Sequence, residues 1–206
     1  MKKFVLLLCA ISLIFGLVGV AGATVLTFDN ITSGTGSGLI TTSYGGFIWE
    51  NFSWFHKDVL FPGQPLGGHP YEMSTVSGEY GVANWDVTKT ASISGGLFNF
   101  YSAWLTSPFL DKMEIEVTGW KAGTVLYSVT VYPLQPDPND PLKLGPTEFV
   151  FNYFGIDQLT FGTTESNFAM DNFNASPVPE PATLLMLGFG LVGLAGLGRK
   201  RFHTKG

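Results

Sequence analysis

Beyond residue 23 the chain contains no cysteine: Cys9 is the only one. A mature protein cut after that point has neither disulfides nor thiol chemistry, so its stability rests on a packed core, a bound ion, or both. Charge is also scarce, at 13% of residues, and arginine is absent from residues 24–198. Residues 24–175 hold five lysines (Lys57, Lys89, Lys112, Lys121, Lys143) against fifteen acids, a net charge of −10. Nucleic acid and anionic membrane surfaces need clustered Lys and Arg, and this region offers none to bind them. His56 and His69 stand 13 apart, with no cysteine and no His-x-x-Glu-His pattern near them. That spacing excludes the common catalytic zinc arrangements. No Gly-x-Ser-x-Gly elbow occurs, and Gly34-Thr35-Gly36-Ser37-Gly38 is followed by no lysine. It reads as a flexible loop rather than a phosphate cradle.

The two ends are apolar and of different kinds. Met1-Lys2-Lys3 precedes an apolar run, Phe4 to Val20, and then Ala21-Gly22-Ala23. This is the layout of a secretory signal peptide over residues 1–23, with cleavage expected after Ala23. Near the other end, residues 176–181 form a Pro-rich linker, Ser176-Pro177-Val178-Pro179-Glu180-Pro181, which neither a helix nor a strand accommodates. Residues 182–198 follow without a charge. As a helix they would reach about 26 Å, enough to make a short transmembrane segment. Arg199-Lys200-Arg201 opens a basic tail, residues 199–206, which favours a cytoplasmic end and an exported body.

The succession Pro179-Glu180-Pro181, glycine-rich apolar stretch and Arg199-Lys200-Arg201 resembles the PEP-CTERM sorting signal. That resemblance implies a substrate of an exosortase that cuts near Pro-Glu-Pro. It implies a Gram-negative host that makes extracellular polysaccharide. The chain would pass transiently through the inner membrane and finish at the cell surface or in the extracellular matrix. It says nothing of what the body does.

Residues 24–175 carry no long helical period. Short runs separated by Gly and Pro read as about nine strands: Val25–Asp29, Gly46–Phe55, Tyr80–Trp85, Ser92–Leu105, Met113–Val117, Val125–Tyr132, Glu148–Asn152, Ile156–Phe161 and Asn167–Phe173. Met113, Ile115 and Val117 alternate with Glu114 and Glu116, the mark of a half-buried strand. The expected fold is an all-β antiparallel sandwich of the jelly-roll kind.

Thr27-Phe28-Asp29-Asn30 and Ala169-Met170-Asp171-Asn172-Phe173 are alike, each ending an apolar strand in an acid and an asparagine. The ends of a sandwich often lie side by side, and two carboxylates with backbone carbonyls would suit calcium. The alternative is that each Asp-Asn pair closes a turn. The body also resembles jelly-roll carbohydrate-binding modules, in many of which a structural calcium joins the first and last strands. By that similarity Asp29 and Asp171 are its ligands. All five tryptophans fall in this region. Sugar rings stack on exposed aromatic faces, which makes Trp49, Trp54 and Trp85, the last with Asn84 and Asp86 beside it, candidate glycan contacts. No constellation demands catalysis, so the body reads as a non-enzymatic surface or matrix module that binds extracellular polysaccharide. The alternatives are a structural or adhesive module with protein partners and a secreted hydrolase.

Overall fold

The computed structural model describes residues 22–31, 34–41, 43–59, 70–137, 145–178 and 189–190. The expected signal peptide as far as Ala21, the sorting-motif side chains and the basic tail lie outside the described residues. So does most of the apolar segment, of which Phe189 and Gly190 are helical. Among the described residues no helix is long and apolar enough to cross a membrane. Ala23–Pro177 forms one compact unit.

That unit is all-β, and every strand pairing in it is antiparallel. Its ten strands are β1 (Thr24–Leu26), β2 (Ser37–Leu39), β3 (Ile48–Glu50), β4 (Phe52–His56), β5 (Tyr80–Asn84), β6 (Ala91–Thr106), β7 (Ile115–Lys121), β8 (Thr124–Val131), β9 (Thr147–Gly162) and β10 (Ala169–Pro177). The order across the sheet is β2-β4-β5-β10-β6-β9-β7-β8, with β1 on β10 and β3 on β6. β1 therefore lies along the last strand, Leu26 opposite Phe173.

The sheet turns back over its own interior. β4 and β9 are four strand spacings apart along the sheet, roughly 19 Å if it were flat. Yet the rings of Phe52 on β4 and Phe161 on β9 have centroids 6.2 Å apart. The interior that draws the faces together is aromatic. Phe28, Phe52, Phe98, Phe100, Phe161, Phe168 and Phe173 are all fully buried in it. Phe100 stacks on Phe173 at 5.0 Å and on Phe151 at 4.8 Å. Contacts of this kind add about 0.5–1.5 kcal/mol each beyond the area they bury. Burial also lifts the Tyr153 hydroxyl to a pKa of about 12, while it donates to the Val117 carbonyl at 3.1 Å.

The strands expected from periodicity are present, with four differences. β10 runs past the expected end at Phe173, so that Ser176 and Pro177, expected in the linker, continue the strand and pair with Asn99 and Phe98; the proline, which has no N–H to donate, is its last residue. The run Gly46–Phe55 is split into β3 and β4 by Asn51, whose left-handed backbone (φ 59°) interrupts it. Glu148–Asn152 and Ile156–Phe161 are one strand, β9. Its left-handed Asn152 and Gly155 (φ 53° and 65°) coincide with shifts of register against β6 rather than a break. The glycine-rich segment read as a loop contains β2, and Gly38 sits under Trp54, where a Cβ would come within 3.0 Å of the indole.

Candidate functional site

Two places in the body gather chemistry, and both are built on β5 and β10. These strands pair antiparallel, Ala83 opposite Ala169 and Val82 opposite Met170. The segment entering β5 therefore lies near Asp171, and the end of β5 lies near the start of β10.

At the first end, Asp171 is fully buried. Its Oδ2 accepts from the backbone N–H of Val76 (2.7 Å) and Ser77 (2.9 Å) and from the Ser77 hydroxyl (3.4 Å), and its Oδ1 from the N–H of Asn172 (2.6 Å). The Ser77 hydroxyl also reaches Asn172 Oδ1 at 2.8 Å. Asp29 holds the same segment, accepting from the N–H of Glu79 at 2.9 Å. The expectation that the two Asp-Asn segments meet is thus met in space: both grip the four residues 76–79. The register of β1 against β10 explains it, since two more steps from Leu26 and Phe173 bring Phe28 level with Asp171.

The backbone here is forced. Phe28 (φ 62°), Gly78 (φ 56°) and Asn172 (φ 48°) are all left-handed. For a bulky residue such as Phe28 that is an outlier, held by burial of its ring against Tyr44 (5.4 Å) and Trp49 (5.5 Å). At Gly78 a Cβ would stand 1.7 Å from Asp29 Oδ1, so only glycine fits. Burial pushes the Asp171 carboxyl above the usual carboxylate range. The amides of Ser77, Val76 and Asn172 pull the other way, and the charge of Asp29 adds to the rise. Tyr44 is raised as well, by burial first and by both carboxylates in smaller part. Neither Asp29 nor Asp171 makes an ion pair with a described basic residue.

The chemistry of this donor set, two carboxylates and a carboxamide, fits a hard divalent cation, while the bases next to it, His56 and Lys57, pair with Glu79 instead. Among the described residues no group of three or more His, Cys, Asp or Glu side chains is arranged for a metal. A cation between Asp29 and Asp171 would complete its shell from backbone oxygens and water.

At the other end of the β5–β10 pair lies a cleft of about 140 Å³ lined by Ser37, Ser53, Phe55, Tyr71, Ala83, Asn84, Trp85, Phe109 and Asn167. Tyr71 packs on Phe55 at 4.4 Å and edge-on to Phe109 at 5.4 Å, which forms one aromatic wall. Trp85 is 57% exposed and Phe109 43%. Trp85 stands on a pinned turn. Its N–H donates to the Asn51 carbonyl (2.9 Å), while the Asn51 carboxamide donates to the carbonyls of Asp86 (2.9 Å) and Lys89 (2.8 Å) and accepts from the Asp86 N–H (2.8 Å). Asn84 is buried: its Oδ1 accepts from the Phe168 N–H at 2.6 Å and its Nδ2 has no partner. Asn167 donates to the carbonyl of Asn84 and, at 3.4 Å, to that of Trp85.

The three tryptophans named from sequence thus have different places. Trp85 lines the cleft. Trp54 is half-buried, 6.4 Å from Tyr80, and does not line it. Trp49 is only 3% exposed: it packs against Phe52 (5.2 Å) and Phe173 (5.4 Å) and donates to the Tyr44 carbonyl (3.0 Å). A ring without an exposed face cannot stack on a sugar, so Trp49 is a core residue rather than a glycan contact. Sequence reasoning missed Tyr71, Phe109, Asn167 and the segment 76–79, which join these sites only through tertiary pairing.

Residues 177–201 match the PEP-CTERM protein-sorting motif. The motif is the recognition signal of an exosortase, and it implies export and membrane-associated sorting. No curated protein matches the chain. Among solved structures, the chain is similar to the K1 cleaved adhesin domain of Lys-gingipain from Porphyromonas gingivalis W83. Identity is 8% and the TM-score 0.45, over 76% of this chain and 99% of that one. It is also similar to an agarase, AgWH50C, at 8% identity and a TM-score of 0.35, over 70% of this chain and 25% of that one. Likenesses of this size carry no functional argument.

Proposed function

We propose that this is a surface or matrix protein of a Gram-negative bacterium whose body, a β-sandwich of the jelly-roll type, binds extracellular polysaccharide without altering it. The observation that carries this reading is the cleft at Trp85. An exposed indole is fixed on a pinned turn beside two carboxamides and an aromatic wall, which supplies stacking faces and hydrogen-bonding groups together. Among the described residues no carboxylate lines that cleft, which favours holding a glycan over hydrolysing one. The apolar segment 182–198 serves as a single transmembrane helix during sorting. The exosortase then cuts near Pro179-Glu180-Pro181, with Arg199-Lys200-Arg201 left behind. Titrating the full chain against a glycan array tests the binding. Retention of some polysaccharide is expected, and no binding to any, the host's own exopolysaccharide included, would refute it. Intact mass of the surface-extracted protein tests the processing, with loss of residues 182–206 expected.

Calcium held by Asp29 and Asp171 belongs to the same reading. It would neutralise two carboxylates that bind the same segment, residues 76–79, and fasten β1 to β10. Adding calcium to EDTA-treated protein should raise the thermal midpoint, and should not do so in Asp29→Asn. Equal midpoints with and without calcium would remove the ion from the proposal.

An adhesive role with protein partners has one observation in its favour. Among the described residues edge strand β8 pairs with β7 alone, and it exposes Val125, Leu126 and Val129 with no charge along its length. Self-association on analytical ultracentrifugation that Val129→Lys abolishes would favour it.

A further inference from the structure

Resting on the polysaccharide reading, we infer that the body holds a second glycan site: a trough along the outer face of β7 that seats an extended, β-linked polysaccharide chain lengthwise. Alternation builds it. Ile115 and Val117 are fully buried in the core, so Glu116, Thr118 and Trp120 point outward. Pairing sets Thr160 and Gln158 of β9 beside Thr118 and Trp120 on one flank, and Ser128 of β8 beside Thr118 on the other. These side chains line a trough of about 630 Å³, within the usual ligand-pocket range of roughly 300–1,000 Å³. A neighbouring hollow of about 460 Å³ continues it past Glu114 to Glu165, and the two share Thr90, Glu116 and Gly162. From Trp120 to Glu114 the floor follows the line of β7 for roughly 20 Å.

The groups that would meet a sugar are ones a ligand atom can reach. Glu116 and Ser128 are exposed, and Trp120, Gln158 and Thr160 are half-buried. The Trp120 indole N–H donates to the Thr160 hydroxyl at 3.0 Å. That bond fixes the ring at one end of the trough, as a stacking face for the C–H side of a sugar. Ser128 donates to Glu116 Oε1 at 3.0 Å, and its oxygen lies 3.3 Å from the Thr118 hydroxyl. The carboxylate is thereby steadied, and its second oxygen can accept from a sugar hydroxyl in a charge-assisted bond. Gln158 adds a carboxamide, which both donates and accepts. Gly162 keeps the two hollows continuous. A Cβ there would come no closer than 3.9 Å to the Glu116 carbonyl oxygen, so the position has room that glycine leaves open. A straight strand as floor suits a β-linked chain, which runs extended, and not an α-linked chain, which coils.

The test uses the full chain, as parent and as Trp85→Ala, which silences the separate cleft. The probes are cellobiose, cellohexaose, chitobiose, chitohexaose and maltohexaose, with binding read by calorimetry. In Trp85→Ala at least one β-linked hexamer should still bind, at least tenfold tighter than its dimer and than maltohexaose. Adding Trp120→Ala removes the stacking face, and adding Gly162→Leu fills the floor; each should weaken that hexamer tenfold or more. If the Trp120 variant fails to fold, Gly162→Leu, on the outer face, still decides. Hexamer binding unchanged by both would overturn the trough. Equal affinity for hexamer and dimer would overturn lengthwise seating, and equal affinity for maltohexaose would overturn the preference for an extended chain. Binding by the parent that Trp85→Ala abolishes would overturn the second site and leave the polysaccharide reading standing on the cleft. No binding by the parent to any probe would overturn the inference, and the wider glycan array then decides whether the polysaccharide reading survives.

Discussion

The two ends of the β5–β10 pair are built on opposite physical terms. At one end polar groups are buried and saturated: Asp171 is sealed from solvent and takes four hydrogen bonds, three left-handed residues meet, and no side chain but hydrogen fits at position 78. At the other end apolar rings are exposed and a buried donor is unsatisfied. The first arrangement stabilises the fold, and the second leaves apolar ring faces open to a ligand. Strain held where every partner is satisfied reads as structure, and apolar surface left open at a cleft reads as function.

The sharpest way to break that contrast is Asp171→Ala. It strands the amides of Val76, Ser77 and Asn172 at about 1–3 kcal/mol each, so a loss on the order of 4 kcal/mol is expected in urea unfolding. A loss under about 1 kcal/mol would mean the segment 76–79 does not hold the body together. Gly78→Ala comes next. The left-handed backbone alone costs an alanine about 1–2 kcal/mol, and the collision with Asp29 adds to it, so a thermal midpoint equal to the parent's would contradict the geometry.

Protonation sharpens the comparison further. The Asp171 carboxyl is raised above its ordinary 3.8 in the fold, through burial first. The fold therefore prefers the neutral acid. That contribution is complete below pH 3.8 and is lost as pH rises through the raised value. Measured against Asp171→Asn, which has no such titration, the parent should gain relative stability on going from pH 7 to pH 4. A difference that is flat, or that runs the other way, would show the carboxylate to be better stabilised than its burial implies. The smallest effect belongs to the opposite end. Trp85→Ala removes an exposed ring and should change unfolding by less than about 0.5 kcal/mol, so its consequences should be confined to binding.

Much of the fold was legible because alternation survives wherever one strand face is buried, as at Ile115 and Val117. Breaks were less legible. Asn51 and Asn152 are both left-handed asparagines within strand-forming sequence, and one ends a strand while the other only bends it. The neighbours that decide between those outcomes are remote in sequence. The same limit governs the sites. Asp29 and Asp171 could be paired from their matching segments, but the loop between them could not. Trp49 and Trp85 sit in similar aromatic and polar sequence, and only β3's packing on β6, beneath Phe173, sends the first ring inward.

β10 has a mechanical consequence. It ends at Pro177, where the match to the sorting motif begins, and it lies within the sheet, bonded to β6 on one side and to β1 and β5 on the other. While the tail is tethered, any drag on the body enters the sheet through the C-terminal end of β10, and its component along the strand shears β10 against its neighbours. The bonds to β6, from Phe98 to Thr106, then carry the load in parallel instead of opening one by one. An edge strand such as β8 would unzip under the same force. The protein should resist pulling from its tail better than pulling from β8, and single-molecule stretching that ranked the two the other way would refute this.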